Sequence, residues 1–318
     1  MAGNITTLPV PTKGWPDFTT HDDIQDSDLI MARQGSTTSP LTGSGLKAEM
    51  DARATSALDA SKVELKSGRR NSLINARFAI NQNVVSGTVV LAAGDFGHDM
   101  MFGGASGCTY TFSTTNNTTV LTISAGSIKQ VVASEDVQQG LNVLSHVGTS
   151  QGRINGGSYG ASGTVTATLT GATNVVCEWG IGTLSLIQLE KSSYATDFKY
   201  IKFNEDLSEC QKYFSKSYDL ATAAGTITSV GRLASISSGA SSGDLNFNCT
   251  FSVRMRGAPA VTIYSPTSGT ASRAGGTADI VAGVTSVGET NATVLNSGAI
   301  IDSAFYSLHY TANARITS

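Results

Sequence analysis

Two neighbouring carboxylates raise the possibility of glycoside hydrolysis, which requires a pair of them facing each other at a set separation. Asp95 and Asp99 lie close together in the segment GDFGHD. Aspartates in such glycine-containing segments commonly hold turns by accepting hydrogen bonds from nearby backbone N–H groups. We therefore interpret both residues as turn and capping carboxylates.

Other catalytic arrangements find little support. Serine is abundant, but only His21, His98, His146 and His309 could act as its base, and no G-x-S-x-G elbow opens a helix. The glycine clusters GGASG and INGGSYGASG precede no helical pattern, which argues against phosphate binding. The four cysteines lie far apart, so they do not form a zinc pattern and are expected to be buried thiols. We predict no enzyme, no cofactor and no metal site.

Sugar binding, unlike catalysis, needs aromatic faces and planar polar side chains. The segment GRINGGSYGASG carries Arg153, Asn155 and Tyr159 in a predicted loop, and YSPTSGTASRAGG carries Tyr264 and Arg273 in a second one. These five residues are the predicted ligand-binding residues, with ordinary solvated loops as the alternative. Trp179 adjoins a predicted core strand, so we expect it to pack in the core rather than stack on a ligand.

The composition favours many short strands joined by tight turns. The 318 residues include 34 glycines, 40% are hydrophobic and only 14% are charged, with a net charge of -3. No basic field is available for nucleic acid, and no apolar run is long enough to insert into a membrane. The N-terminus has no basic start followed by an apolar run, so we expect synthesis in a reducing cytoplasm.

The elements predicted along the chain form four segments. Residues 1–45 form an arm with a strand at LIMARQG, a turn at STTSP and few apolar residues, so they need a partner surface or copies of themselves. Residues 46–70 form a helical neck, because Leu46, Met50, Ala54, Ala57 and Leu58 fall on one narrow stripe suited to self-association. Alternating runs over 71–203 and again over 219–318 indicate two β modules. The last run, around Phe305, is expected to close its sheet.

A short helix separates the two β modules and opens the segment 204–318. Asn204 is predicted to cap it, and Glu205 and Asp206 suit its first turn. Leu207, Cys210, Phe214 and Tyr218 follow at helical spacing, so the apolar stripe predicts a helix that runs to about residue 218. Lys212 and Lys216 suit its last turns.

Four segments carry a resemblance to a known family. RRNSLINARFAINQ (69–82) is similar to an opening shared by many tailed-bacteriophage tail fibre proteins, and GDFGHDMMF (94–102) to a segment that follows it, with Met100 and Met101 where Arg-Trp is usual. QLEKSSYATDFKYIKFNEDLSECQKYF (188–214) resembles the family's junction signature, with Asp197 in place of its proline. VRMRGAPAVTI (253–263) and YTANARI (310–316) resemble its tip.

The resemblance implies a mainly β, homotrimeric fibre. Its expected parts are an N-terminal virion-docking arm (1–45), a short helical neck for trimerisation (46–70), a carbohydrate-binding-like jelly-roll β-sandwich (71–203), and one junction helix with a C-terminal β-sandwich tip (204–318). The implied function is a receptor-binding protein that attaches the virion to host surface polysaccharide or lipopolysaccharide, with other tail proteins as partners of the arm. The alternatives are a capsule depolymerase on the same scaffold and a structural collar or decoration fibre.

Overall fold

The computed structural model describes residues 30–34, 37–41, 51 and 71–317. By backbone contacts the chain divides into two units, residues 1–67 and 68–318. In the first unit, β1 and β2 form an antiparallel hairpin in which Ile30 is opposite Leu41. The predicted turn at STTSP is therefore wrong, because Thr37–Leu41 is a strand. The predicted neck lies outside the described residues, except for Asp51, which is helical.

The second unit is mainly β, and every strand pair in it is antiparallel. Its single α-helix within residues 71–317 is α1, and a 3-10 turn covers Ser134–Asp136. The strands, β1 and β2 included, are β1 (Ile30–Gln34), β2 (Thr37–Leu41), β3 (Val89–Leu91), β4 (Phe102–Thr115), β5 (Thr118–Val132), β6 (Gly140–Val147), β7 (Gly152–Ile154), β8 (Val165–Leu169), β9 (Val175–Trp179), β10 (Gly182–Glu190), β11 (Phe214–Lys216), β12 (Leu233–Ile236), β13 (Asn246–Thr250), β14 (Ala260–Tyr264), β15 (Arg273–Ala274), β16 (Ile280–Val287), β17 (Asn291–Asn296) and β18 (Phe305–Asn313), with α1 at Phe203–Gln211.

The first β region is organised around the long strand β5. One edge of β5 pairs with β4, and the other edge is shared by β10 and β9. β7 extends the sheet beyond β9, while the second half of β10 leads into β6 and β8. The sequence pattern predicts two strands, whereas β5 is one. Gly126, opposite Cys108 and at φ +70, lets the strand continue past the irregular pairing between Gly103 and Cys108 of β4. The sheet encloses one large apolar core that includes Trp179 and Tyr110.

The second β region has a separate core between two sheets. β18 is the central strand of one sheet, with β14 on one edge and both β11 and β12 on the other. The other sheet has the order β13-β17-β16-β15. The final strand therefore lies inside its sheet rather than closing it, and its residues from Tyr306 to Ala312 are all buried.

The junction helix is shorter than its apolar spacing predicts. It begins after Lys202, which makes no side-chain capping bond, and ends at Gln211, so neither the Asn204 cap nor the extension to residue 218 is correct. Phe214 and Lys216 lie in β11 instead, because pairing with β18 satisfies their backbone groups. Glu205 and Asp206 do occupy the first turn.

Buried polar contacts hold the junction between the two β regions. Asp99 is fully buried, and its carboxylate accepts hydrogen bonds from the backbone and side chain of Gln82 at 2.7 and 3.1 Å. The Gln82 amide also donates to the Phe214 carbonyl at 2.8 Å. Asp206 accepts the Asn75 N–H at 2.9 Å. The bonds from Gln82 to Phe214 and from Asn75 to Asp206 therefore link the two regions, and Asp99 holds Gln82 in place.

Two cations, the buried Lys216 and the half-buried Arg315, reinforce the same junction. The Arg315 guanidinium lies over the rings of Phe96 and Phe214, at 4.1 and 4.2 Å from their centroids. The Lys216 ammonium donates to the carbonyls of Gln82, Leu220 and Thr222 at 2.7, 3.0 and 2.7 Å. Each cation bridges the first β region and the second, so the two are tied together by polar as well as apolar contacts.

Candidate functional site

Three charged side chains stand in a row across neighbouring strands of the first β region. Lys129 on β5 is opposite Glu178 on β9, which in turn is opposite Arg153 on β7. Ser127, from β5, and Tyr159, from the loop after β7, complete the group that we call the Glu178 cluster. Cross-strand neighbours with opposite charges attract each other. The strand register therefore places the carboxylate of Glu178 between the positively charged side chains of Lys129 and Arg153.

Glu178 is the buried centre of the cluster, with only 5% of its surface exposed. One carboxylate oxygen accepts hydrogen bonds from Arg153 Nε at 3.0 Å and Nη2 at 2.8 Å. The other accepts the hydroxyls of Ser127 at 2.5 Å and Tyr159 at 3.1 Å. Burial on its own would raise the pKa of Glu178, but the Ser127 and Arg153 hydrogen bonds, with the charge of Lys129, lower it below its ordinary value. The carboxylate is therefore ionised at neutral pH.

A glycine makes room for this arrangement. A Cβ atom at Gly104, on β4, would lie 2.0 Å from the Ser127 hydroxyl oxygen and 3.3 Å from the nearer Glu178 oxygen. Real Cβ atoms do not approach other atoms so closely, so any side chain at this position would push Ser127 off the carboxylate. Gly104 is thus needed for close approach rather than for backbone conformation.

The outer side of the cluster presents a flat, polar surface. The Arg153 guanidinium carbon lies 4.4 Å from the centroid of the Tyr159 ring, a cation–π contact. Tyr159 is 38% exposed, and 28% of the Arg153 side chain is exposed. Two of the guanidinium's N–H directions are engaged by Glu178, so the others remain available to acceptors. The cluster can therefore hold a hydroxyl-rich ligand by its aromatic face and its donors.

The structure brings Arg153 and Tyr159 together, whereas Asn155 bonds to the backbone of Val176. Asn155 has φ +49 in the turn after β7, and its side-chain oxygen accepts the Val176 N–H at 2.8 Å. Its own N–H donates to the Val176 carbonyl at 2.8 Å. This side chain fixes the turn that presents Tyr159, and direct ligand binding by it stays a prediction.

The second predicted pair lies on the C-terminal β region and is not one site. Tyr264 ends β14 with its ring at 6.3 Å from the Tyr218 ring. Arg273 begins β15 and lines a depression that does not include Tyr264. The segment between them is an ordered turn, because Asp279 accepts hydrogen bonds from the hydroxyls of Ser265 at 2.6 Å and Thr267 at 2.8 Å. The binding roles of Tyr264 and Arg273 stay predictions.

The sequence also contained a pattern that could have predicted the centre of the Glu178 cluster. Lys129 and Glu178 are among the few charged residues in the first β region, and Glu178 interrupts an otherwise apolar strand. A charge inside an apolar strand usually has a partner, and here each is the other's cross-strand neighbour. Trp179, next to Glu178, is fully buried in the core as predicted.

The residues that might have served hydrolysis have structural partners. Asp95 accepts the Ala92 N–H at 3.2 Å, and Asp99 holds Gln82. His98 is buried with its Nδ1 at 3.0 Å from the Tyr110 hydroxyl, and burial lowers its pKa to about 4. The four cysteines are unpaired and buried, as predicted. The turn interpretation holds for Asp95, whereas Asp99 is a buried link in the junction.

Comparisons with known proteins give no match to a family model, a curated protein or a solved structure.

In the part of the chain that the structure describes, no helix combines the length and apolar character needed to cross a membrane.

Proposed function

We propose that this chain is the subunit of a tailed-bacteriophage tail fibre and attaches the virion to the host cell surface by binding a surface glycan. The observation that carries the binding role is the Glu178 cluster, in which a partly exposed tyrosine and arginine are held in fixed positions by a buried carboxylate. Such preorganised planar groups suit sugar rings and their hydroxyls. The mainly β architecture with two separate cores is compatible with a fibre of successive modules.

The finer architecture in this proposal follows the family resemblance. Residues 71–203 form a jelly-roll, carbohydrate-binding-like module, and residues 204–318 form the tip. The arm (1–45) docks on other tail proteins, and the neck (46–70) holds three copies together in a homotrimer. The protein is made in the host cytoplasm and resides in the virion, with host polysaccharide or lipopolysaccharide as its ligand. Three copies of a weak site would bind a repetitive surface by avidity.

The Glu178 cluster suits binding better than bond cleavage. Its only carboxylate is Glu178, and both oxygens of that group already accept hydrogen bonds. Glycoside hydrolysis by the usual route uses two carboxylates on opposite sides of the bond. The exposed groups of the cluster are instead a ring face and N–H donors, which hold a sugar without reacting with it.

The test is binding of purified, fluorescently labelled protein to host cells and to their extracted surface polysaccharide. We expect saturable binding that falls about tenfold or more in the pair Arg153→Lys/Tyr159→Leu, which removes the fork and the ring. Arg254→Lys is the control, because the Arg254 side chain is 76% exposed in a surface ion pair with Glu289. Equal binding by parent and pair, with matching thermal melts, would remove the cluster from the binding role, and release of oligosaccharide would indicate a depolymerase.

A further inference from the structure

A second polar feature lies on the C-terminal β region. A shallow depression of about 300 Å³ opens between β15, β16 and residues 297–299. Ile280, Val281 and Ala299 supply its apolar surface, and Arg273 supplies a charge at its edge. Its volume is at the small end of the range for ligand pockets, which suits a single sugar residue better than a long chain segment.

Arg273 differs from most arginines of the described chain in lacking a bonded acceptor. Arg153, Arg254 and Arg256 each form an ion pair with a glutamate. Within residues 71–317 the half-buried Arg273 side chain makes no hydrogen bond and no ion pair. A guanidinium has five N–H donors in a planar fork, so this one is available to an incoming acceptor.

The nearest carboxylate is already committed to the protein. Asp279 also lines the depression, but one of its oxygens accepts the hydroxyls of Ser265 and Thr267 at 2.6 and 2.8 Å, and its other oxygen accepts the Ser268 hydroxyl. These three bonds hold the carboxylate in the turn that follows β14. Asp279 moderates the local charge, yet it leaves the Arg273 fork without a direct partner.

We propose that this depression binds the carboxylate of an acidic sugar, with Arg273 as the anchor and the apolar surface beneath the sugar ring. The inference deepens the proposed attachment function and rests on it, since it names a ligand class for the tip. A guanidinium fork matches the two oxygens of a carboxylate and forms hydrogen bonds that are shorter and stronger than those to neutral hydroxyls. The Glu178 cluster is less suited to an acidic sugar, because the Arg153 guanidinium already donates two hydrogen bonds to the Glu178 carboxylate.

The direct experiment is an NMR titration of the full chain with three methyl uronides, those of glucuronic, galacturonic and mannuronic acid, against the matching neutral methyl glycosides. We expect at least one uronide to shift the Arg273 Nε–H signal and to bind about tenfold or more tightly than its neutral counterpart, because only the uronide offers a charged, bidentate acceptor. The signal of Arg153 should move little at the same concentrations.

Substitutions test whether uronide binding depends on Arg273. Arg273→Gln should lose about tenfold or more in uronide affinity, and Arg273→Lys should recover part of it, since a lysine keeps the charge but not the fork. Both should melt near the parent temperature, because the side chain they replace makes no hydrogen bond within residues 71–317. Arg254→Gln is the matched control and should leave uronide binding at Arg273 unchanged, because the Arg254 side chain is 76% exposed in a surface ion pair.

The inference is overturned if none of the uronides shifts the Arg273 signal, or if Arg273→Gln binds them as the parent does. Either result leaves the attachment function intact as long as the parent still binds host cells. Conversely, uronide binding at Arg273 by a protein that fails to bind host cells would support the acidic-sugar site and count against the attachment function. The two failures are therefore distinguishable.

Discussion

Replacing Phe214 by alanine should destabilise the protein strongly, because this ring lies in the junction between the β regions. Phe214 is 6% exposed, and the Arg315 guanidinium rests 4.2 Å from its centroid. Truncating a buried phenylalanine costs about 3–5 kcal/mol. Loss of the cation–π contact adds about 0.5–2 kcal/mol, since the guanidinium is partly withdrawn from water. We expect a total loss of about 3.5–7 kcal/mol in the free energy of unfolding.

A matched phenylalanine in the same chain provides the control. Phe305 also has an arginine over its ring, with Arg232 at 5.0 Å, but it is 48% exposed. Phe305→Ala should therefore cost only about 1 kcal/mol or less. The assay is urea unfolding followed by circular dichroism at fixed protein concentration, with midpoints and slopes compared. Equal losses for the two variants, or a Phe214→Ala loss below about 1 kcal/mol, would refute the buried junction.

Three further outcomes follow from the same contacts. Glu178→Gln should cost about 1.5–3 kcal/mol in urea unfolding, because Arg153 loses its charged acceptor, and an unchanged midpoint would contradict this. Gly104→Ala should cost about 1–3 kcal/mol, and much of that loss should disappear in the Ser127→Ala background, where the clashing hydroxyl is gone; equal losses in both backgrounds would refute the steric reason. Burial lowers the pKa of His98 from an ordinary 6.5 to about 4 in the folded protein, so the unfolded chain takes up a proton first as the pH falls. The contribution of His98 to the free energy of unfolding is therefore complete above pH 6.5 and falls by about 3 kcal/mol as the pH drops to 4. His98→Gln should flatten the stability profile in that window, and a profile as steep as the parent's would rule out this assignment.

Strand patterns in the sequence predicted the β character and many of the strands. Alternating and apolar runs predicted strands at NVVCEWG and TLSLIQLE, which are β9 and β10. The interior position of β10, between β5 and β6, agrees with its apolar residues on both alternations. These predictions succeed because burial on one or both faces imposes a pattern on consecutive residues.

Pairing between distant segments was the part that local patterns could not supply. Phe214 and Tyr218 continue the helical spacing of Cys210, yet β18, almost 100 residues later, pairs with Phe214–Lys216 and ends the helix. The same pairing puts β18 inside its sheet. Tertiary contacts of this kind override a weak helical preference. Local sequence patterns do not reveal which distant segments will pair.

Two of the five residues of the Glu178 cluster were visible in the sequence. Arg153 and Tyr159 were predicted from their loop, because flexible glycine-rich segments often present binding residues. Glu178, Lys129 and Ser127 were missed, because only the strand register places them next to Arg153. The junction shows the same limit, since the bond between Gln82 and Asp99 joins two segments that no local sequence pattern pairs with each other.

The attachment function is tested most directly by competition for virion adsorption. Host cells are first saturated with the purified full-length chain, and adsorption of virions that carry this fibre is then counted as the loss of free infectious particles. We expect the parent protein to lower the adsorption rate in proportion to its occupancy of the cells, and Arg153→Lys/Tyr159→Leu to block adsorption much less at the same concentration. Unchanged adsorption on cells saturated with the parent protein would contradict the attachment function.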